Sequence, residues 1–258
     1  MNATIIANTE IGPGVHLIEM HAPLLAQAAQ PGQYCMVRCC DPLATDPLIR
    51  RPFFVQSVRR GQAGQAGQCS LLVQVRGRGS SWLAGQLPGA VVDILGPMGQ
   101  GWTIRPSSLN LLLVSEEGLI DGLTLLAQVA VEQELAVTLI AQSDHAASVY
   151  PPALLPPEVE YVIVTSDGST GQQGNVVDAP ADYLNWADAV YCNVSRETSQ
   201  ALYRRYERLR TRNFAQAMLL YPLVCGNGVC QTCPVETFSG QKLVCRDGPV
   251  FDLREMAR

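Results

Sequence analysis

The rhythm of hydrophobic positions along this chain changes near residue 104. Before that point they come in short runs: Thr4-Ile5-Ile6-Ala7, Val15-His16-Leu17-Ile18, Tyr34-Cys35-Met36-Val37, Phe53-Phe54-Val55 and Leu71-Leu72-Val73-Gln74-Val75. Glycine and proline punctuate these runs. Short, evenly spaced strands with turn signals between them predict a small antiparallel barrel over residues 1–103. The tract from Gly61 to Gly67 is low in complexity and is expected to form a mobile hairpin loop.

Beyond residue 104 the pattern lengthens. Leu109-Asn110-Leu111-Leu112-Leu113-Val114 reads as a buried strand, and residues 118–134 repeat with helical period. Ala136-Val137-Thr138-Leu139-Ile140 and Tyr161-Val162-Ile163-Val164 read as further strands. Strands alternating with helices predict a Rossmann-like parallel α/β domain over 104–212. Tyr150–Pro157 is a proline-rich loop. A helix is expected over Thr198–Arg212, where an arginine-rich run marks a solvated face that could meet an acidic partner. Residues 213–258 are left as a small C-terminal module. The fold class is therefore multidomain, β followed by α/β.

Composition narrows the reading further. The 258 residues are 47% hydrophobic, enough for proper cores in one large domain or two modest ones with a small module. No uninterrupted apolar run approaches the ~18 residues of a membrane span. Met1-Asn2-Ala3-Thr4 has neither a basic region nor an apolar signal core, so a cytoplasmic location is expected. A net charge of −5 argues against nucleic-acid binding. His16, His21 and His145 are scattered and suggest neither a metal site nor a hydrolytic triad.

The candidate chemistry lies near the end of the chain. Cys225, Cys230, Cys233 and Cys245 form a C-x4-C-x2-C run with a fourth cysteine after a hairpin-sized gap. This is plant-type [2Fe–2S] spacing, in which a tight loop supplies three thiolates and a separate segment the fourth. Gly226 and Gly228 let the backbone come close to such a cluster and turn N–H groups toward sulfur. Zinc is the competing reading, because four thiolates also suit a tetrahedral ion, although structural zinc usually shows two C-x2-C knuckles. Disulfides are disfavoured in a chain without a secretory signal. Cys35, Cys39, Cys40, Cys69 and Cys192 are expected to act mostly as small buried hydrophobes.

Three stretches carry a resemblance: Val244-Cys245-Arg246-Asp247-Gly248-Pro249-Val250-Phe251, Leu95-Gly96-Pro97-Met98-Gly99-Gln100-Gly101-Trp102 and Gly77-Arg78-Gly79-Ser80-Ser81-Trp82-Leu83. With the order barrel, α/β domain, cysteine loop, the chain resembles the electron-transfer subunit of the two-subunit, NAD-linked dihydroorotate dehydrogenases. That family belongs to the ferredoxin-reductase superfamily. The resemblance implies a flavin-binding barrel, an FAD, a [2Fe–2S] cluster, and a catalytic dihydroorotate dehydrogenase-like partner in pyrimidine synthesis. It places FAD along Arg51, Pro52, Phe53 and Phe54, along Leu72, Val73 and Gln74, and at Gly79 and Ser80. Arg51 suits a pyrophosphate, and Gly79-Ser80 opens a short helix whose N-terminus favours negative charge. Phe54 stands where relatives carry a small hydroxyl residue, and Val73-Gln74 where they carry Tyr-Arg.

The same resemblance implies NAD(H), but the residues depart from it. Val114-Ser115-Glu116-Glu117-Gly118 stands where relatives have a glycine-rich turn, and Cys192-Asn193-Val194 where they have Cys-Gly-Pro. Leu220-Tyr221-Pro222-Leu223 replaces Glu-Glu-Arg-Met. A dinucleotide phosphate within about 4 Å of one carboxylate would meet roughly 4 kcal/mol of repulsion at an effective dielectric of 20. NAD(H) use is therefore expected to be weak or lost. The reading that remains open beside an electron relay is a non-catalytic, cluster-bearing scaffold without flavin.

Overall fold

The computed structural model describes residues 1–61 and 67–256. Its first half is built from β1 (Asn2–Gly12), β2 (Val15–His21), α1 (Pro23–Ala28), β3 (Tyr34–Val37), β4 (Arg51–Arg59), β5 (Gln68–Gln74), α2 (Arg78–Ala84) and β6 (Val91–Met98). The six strands close into an antiparallel barrel in the order β1-β2-β5-β4-β3-β6, as expected from the run spacing. Successive strand residues face opposite sides. Cys69, Leu71 and Val73 of β5 therefore join the barrel core, while Leu72 turns outward into the core shared with the second domain. Residues 62–66 of the low-complexity tract lie outside the described residues; on either side of them Arg59 pairs with Gln68.

The second half contains β7 (Asn110–Ser115), α3 (Asp121–Glu132), β8 (Ala136–Ser143), β9 (Glu160–Thr165), β10 (Gln172–Gln173), β11 (Ala189–Asn193), α4 (Arg196–Arg205) and β12 (Ala215–Met218). It ends with β13 (Pro234–Thr237), β14 (Gly240–Leu243), α5 (Val244–Asp247), β15 (Val250–Asp252) and α6 (Leu253–Met256). A seven-stranded sheet runs β10-β9-β8-β7-β11-β12-β15, parallel throughout except for the last pair. The continuous apolar run of β7 follows from burial on both faces. Leu111 and Leu113 pack with Leu123 and Leu126 of α3, while Leu112 and Val114 pack with Leu202 of α4 and Leu253 of α6. Each such side chain contributes roughly 1.5–3 kcal/mol when fully buried.

Two features differ from the sequence expectation. The helix anticipated over Thr198–Arg212 ends at Arg205, and only a short 3₁₀ turn follows at Glu207–Arg210. Tyr206 takes an extended conformation because its hydroxyl donates to the carbonyls of Val177 (2.8 Å) and Asp178 (3.1 Å). The boundary drawn at 212/213 falls between α4 and β12, and the sheet runs across it: β12 and β15 are sheet strands supplied by the C-terminal segment. That addition brings the cysteine loop against both other units.

The linker after the barrel is pinned by Trp102. Its indole N–H donates to the carbonyl of Gly122 (2.6 Å), and its ring meets Tyr191 edge-on at 5.7 Å.

Candidate functional site

The cysteine loop leaves β12 through Leu219–Val224 and returns through the β13–β14 hairpin. Gly226 and Gly228 adopt φ +75° and +85°, the left-handed region open to glycine at little cost. A Cβ on Gly226 would stand 2.7 Å from Met98 Sδ and 3.0 Å from Met36 Cγ, so the loop is seated directly on barrel strands β6 and β3. The last strand before Cys245 ends at Leu243, and Cys245 itself sits in the one-turn helix α5.

The four predicted ligands come together as two pairs. Cys233 and Cys245 are buried, with sulfurs 3.3 Å apart. Cys225 and Cys230 are partly exposed, and Cys230 Sγ lies 3.0 Å from Thr232 Oγ1. Gly228 N–H donates to Cys245 Sγ (3.1 Å), which joins the loop to the fourth cysteine. The buried Cys233–Cys245 pair beside the two loop cysteines is compatible with a two-iron centre that takes two sulfurs per iron.

The pairs differ electrostatically. Burial pushes the Cys245 thiol up to about 12, and neighbouring Cys233 adds to the rise. Desolvation acts the same way on Cys225, but the N–H groups of Cys230, Asn227 and Val229, with the Cys230 side chain, outweigh it and draw that thiol down to about 6. A loop that turns amides toward sulfur is prepared to hold thiolates. All nine cysteines are free thiols.

An apolar cavity of about 360 Å³ adjoins this loop. Pro52, Phe53, Phe54, Leu72 and Gln74 line it from the barrel, and Leu219–Leu223, Val244 and Pro249 from the cysteine segment. Tyr34 completes the wall, its ring edge-on to Phe54 at 6.2 Å. Its hydroxyl lies 3.1 Å from the carbonyl of Gly226 and 3.3 Å from that of Cys245. Burial, reinforced by Cys245, Cys233 and Cys225, raises the Tyr34 pKa and keeps this hydroxyl a neutral donor.

The expected flavin residues divide into two groups. Pro52, Phe53, Phe54, Leu72 and Gln74 share the cavity. Arg51, Gly79 and Ser80 meet beside it: a Cβ on Gly79 would lie 3.0 Å from Arg51 Cγ, and Ser80 Oγ accepts from the N–H groups of Arg76 (2.9 Å) and Gly77 (3.1 Å). Val73 departs from the expectation. It faces the barrel core because strand alternation sends it opposite to Leu72 and Gln74. Arg50 is structural: it pairs with Asp93 and donates to that residue's carbonyl (2.8 Å), tying β4 to β6. An apolar slot ending near a guanidinium suits a flat aromatic group with an anionic tail.

Three lining residues were not singled out from the sequence. Arg76 stands two positions after Gln74 and bonds its side chain, returning a cation to the region where Val73-Gln74 lacks one. Tyr34 looked like an ordinary strand residue. Asp121 lies in the first turn of α3, where burial raises its carboxyl to about 6 despite the Gly122 N–H and Arg76.

A second cavity, of about 410 Å³, lies between the barrel and the carboxyl ends of β7 and β8. The strand order reverses on the other side of β7, between β7 and β11, and open α/β sheets bind ligands at such a switch point. Here the carboxylate of Glu116 accepts from Ser195 N–H (2.6 Å) and Thr198 Oγ1 (3.0 Å), at the N-terminus of α4. Glu117 accepts from Asp144 N–H (2.8 Å) at the end of β8. Gln74 reaches over the same turn to the Gly118 carbonyl (2.8 Å). The two carboxylates thus bond donors at the start of α4 and just after β8.

The arginine run after Ser195 is largely engaged at home. Arg205 pairs with Asp178 (2.7 Å), Arg208 donates to the Ala187 carbonyl (2.9 Å) and lies over Phe214, and Arg210 donates to the carbonyls of Tyr203 (3.1 Å) and Arg204 (2.7 Å).

Comparison with known proteins agrees with this geometry. The sequence profile of the iron–sulfur cluster binding domain of dihydroorotate dehydrogenase B matches residues 222–257. A protein of Desulforamulus reducens named dihydroorotate dehydrogenase B (NAD(+)), electron transfer subunit, is 30% identical, covering 97% of this chain and 95% of the relative. A Geobacillus thermodenitrificans protein of the same name is 29% identical over 98% and 96%. In fold, the chain is similar to an NADH-dependent reduced ferredoxin–NADP oxidoreductase studied for flavin-based electron bifurcation. The TM-score is 0.82 at 22% identity, over 98% of this chain and 88% of the other. A ferredoxin NADP+ reductase from Neisseria gonorrhoeae, solved with FAD and NADP, gives 0.62 at 15% identity, over 85% and 97%. Among the described residues no helix is long and apolar enough to cross a membrane.

Proposed function

The chain belongs to the family of dihydroorotate dehydrogenase B electron-transfer subunits, and from that premise we propose that it relays electrons between FAD, a [2Fe–2S] cluster and a catalytic dihydroorotate dehydrogenase-type partner. The observation that carries this reading is adjacency. The cavity suited to a flavin and the paired thiols share a wall, in which Val244 is the neighbour of Cys245. A flavin exchanges electrons singly or in pairs and a [2Fe–2S] cluster singly, so the two together join both kinds of donor and acceptor.

The chain's own residues supply the setting. Cys225, Cys230, Cys233 and Cys245 would hold the cluster. Amides turned toward sulfur by Gly226 and Gly228 stabilise the thiolates. Phe54, Leu72 and Pro52 would exclude water from a flavin held in the slot, and Arg51 and Arg76 would offer cations to its phosphates. Residues 1–103 form the flavin domain, the α/β domain begins at 104, and 213–258 carries the cluster while adding β12 and β15 to the α/β sheet. The working compartment in this reading is the cytoplasm, where thiols stay reduced.

The outer partner departs from the family's usual one. Glu116 and Glu117 occupy the switch-point turn, so NAD(H) use is weak or lost and another redox carrier exchanges electrons with the flavin. Optical and EPR spectra of the purified chain, before and after dithionite, test the assignment. Bound flavin together with a reduced [2Fe–2S] signal supports it. Iron without flavin would favour a cluster-bearing scaffold, and zinc in place of iron would overturn it.

A further inference from the structure

Tyr34 reaches from the barrel to both ends of the cysteine framework. It belongs to β3, is 1% exposed, and turns its ring to the flavin-side cavity against Phe54. Its hydroxyl points away from that cavity into the cluster loop. There it meets the carbonyl of Gly226, beside the first ligand, and the carbonyl of Cys245, the fourth ligand itself. These segments are 192 and 211 residues away in the chain, so their meeting on one side chain is purely a product of tertiary packing.

The neighbouring contacts have the same sense. Met36, two positions along β3, and Met98 at the end of β6 fill the space beneath Gly226. Gln100 N–H donates to the Gly248 carbonyl (2.6 Å), and Leu219 N–H to the Pro249 carbonyl (2.8 Å), which holds the segment after Cys245 in place. Most of these contacts are apolar or lie beyond the ligands. Among the described residues, Tyr34 alone joins a wall of the flavin cavity to the backbone at Gly226 and Cys245 through a side-chain hydrogen-bonding group.

We infer that Tyr34 is a positioning residue: its hydroxyl pins the cluster loop to the barrel and sets the cluster's place relative to the flavin cavity. The chemistry needs such a device. The flavin slot takes one wall from the barrel and the facing wall from the cysteine segment, which hangs between β12 and β15 at the edge of the α/β sheet. Relative motion of the two units would change the gap between redox centres, and one buried donor shared by two loop carbonyls opposes it. The hydroxyl leaves the flavin slot itself untouched, because only the ring faces it.

The test is Tyr34→Phe in the full chain, which keeps ring, cavity wall and Phe54 contact and deletes the hydroxyl alone. Iron release to a strong chelator should speed up by about tenfold, the effect of one ordinary buried hydrogen bond. The EPR spectrum of the reduced cluster should broaden, while flavin content and melting temperature stay close to wild type. Release rate and EPR line shape both unchanged in Tyr34→Phe would overturn the inference. If that variant does not fold, Tyr34→Met, which fills the same wall and also lacks the hydroxyl, carries the same expected acceleration and the same refuting result. The inference rests on the cluster assignment, and the experiment separates the two: iron-free wild type sinks the assignment, whereas iron-replete wild type with an unaffected variant sinks only the role of Tyr34.

Discussion

The double variant Glu116→Gln, Glu117→Gln tests how the switch-point turn treats a dinucleotide. Both carboxylates are half-buried and hydrogen-bonded to backbone or hydroxyl donors, Glu116 to Ser195 and Thr198, Glu117 to Asp144. At Glu117 a glutamine oxygen can still accept from Asp144 N–H; at Glu116 it can keep the Ser195 bond while its NH2 donates to Thr198 Oγ1, so the substitution removes charge and nearly keeps shape. The charge-assisted part of the bond at Ser195 and the favourable placement at the N-terminus of α4 are lost, about 1–2 kcal/mol of stability together. Against that, one phosphate charge about 4 Å from one carboxylate meets roughly 4 kcal/mol of repulsion at an effective dielectric of 20, nearly a thousandfold in affinity. Wild type mixed anaerobically with micromolar NADH should show little flavin bleaching. The double variant should bind NADH up to two or three orders of magnitude more tightly by titration, with the gain shrinking as salt is added. Rapid bleaching of wild type at micromolar NADH, or equal affinities for the two proteins, would refute the argument.

Three other outcomes are expected. Cys233→Ser removes one member of the buried thiol pair and should abolish the [2Fe–2S] EPR signal with loss of iron and labile sulfide; a full complement of both would contradict the ligand set. Arg51→Ala should weaken flavin retention by roughly 1.5–3 kcal/mol, read as the dissociation constant of the released flavin by fluorescence, with the cluster unaffected. Asp121→Asn bears on pH. A carboxyl held near 6 in the fold, against an ordinary 3.8, binds its proton more tightly when folded, so its stabilising contribution is complete below about pH 4 and is lost as pH rises through about 6. That displacement corresponds to at most roughly 3 kcal/mol, and less where the partly exposed side chain keeps water. The variant should therefore gain stability over wild type in urea melts at pH 7.5 and match it near pH 4.

The sequence alone determined what is local. Barrel strands and the two-faced β7 are written in hydrophobic periods of a few residues, and burial acts on each strand as a unit. The cysteine spacing is local too, because three of the four ligands share one tight loop. The two glutamates could be read as misfits in a phosphate-binding turn for the same reason. Tertiary structure decided what each of these meets. Glu116 finds Ser195 and Thr198 at separations of 79 and 82 residues, and no periodicity in either segment encodes that encounter. Val73 and Leu72 look alike in sequence, yet the pleat sends one into the barrel and the other toward α3. The helix after Ser195 stops at Tyr206 because a distant pair of carbonyls captures its hydroxyl. The link between flavin slot and cluster arises only when β12 and β15 complete the sheet and lay the cysteine loop on Tyr34. Local order follows from short-range sterics and burial, whereas the junction of two domains depends on which surfaces remain to be covered once each has folded.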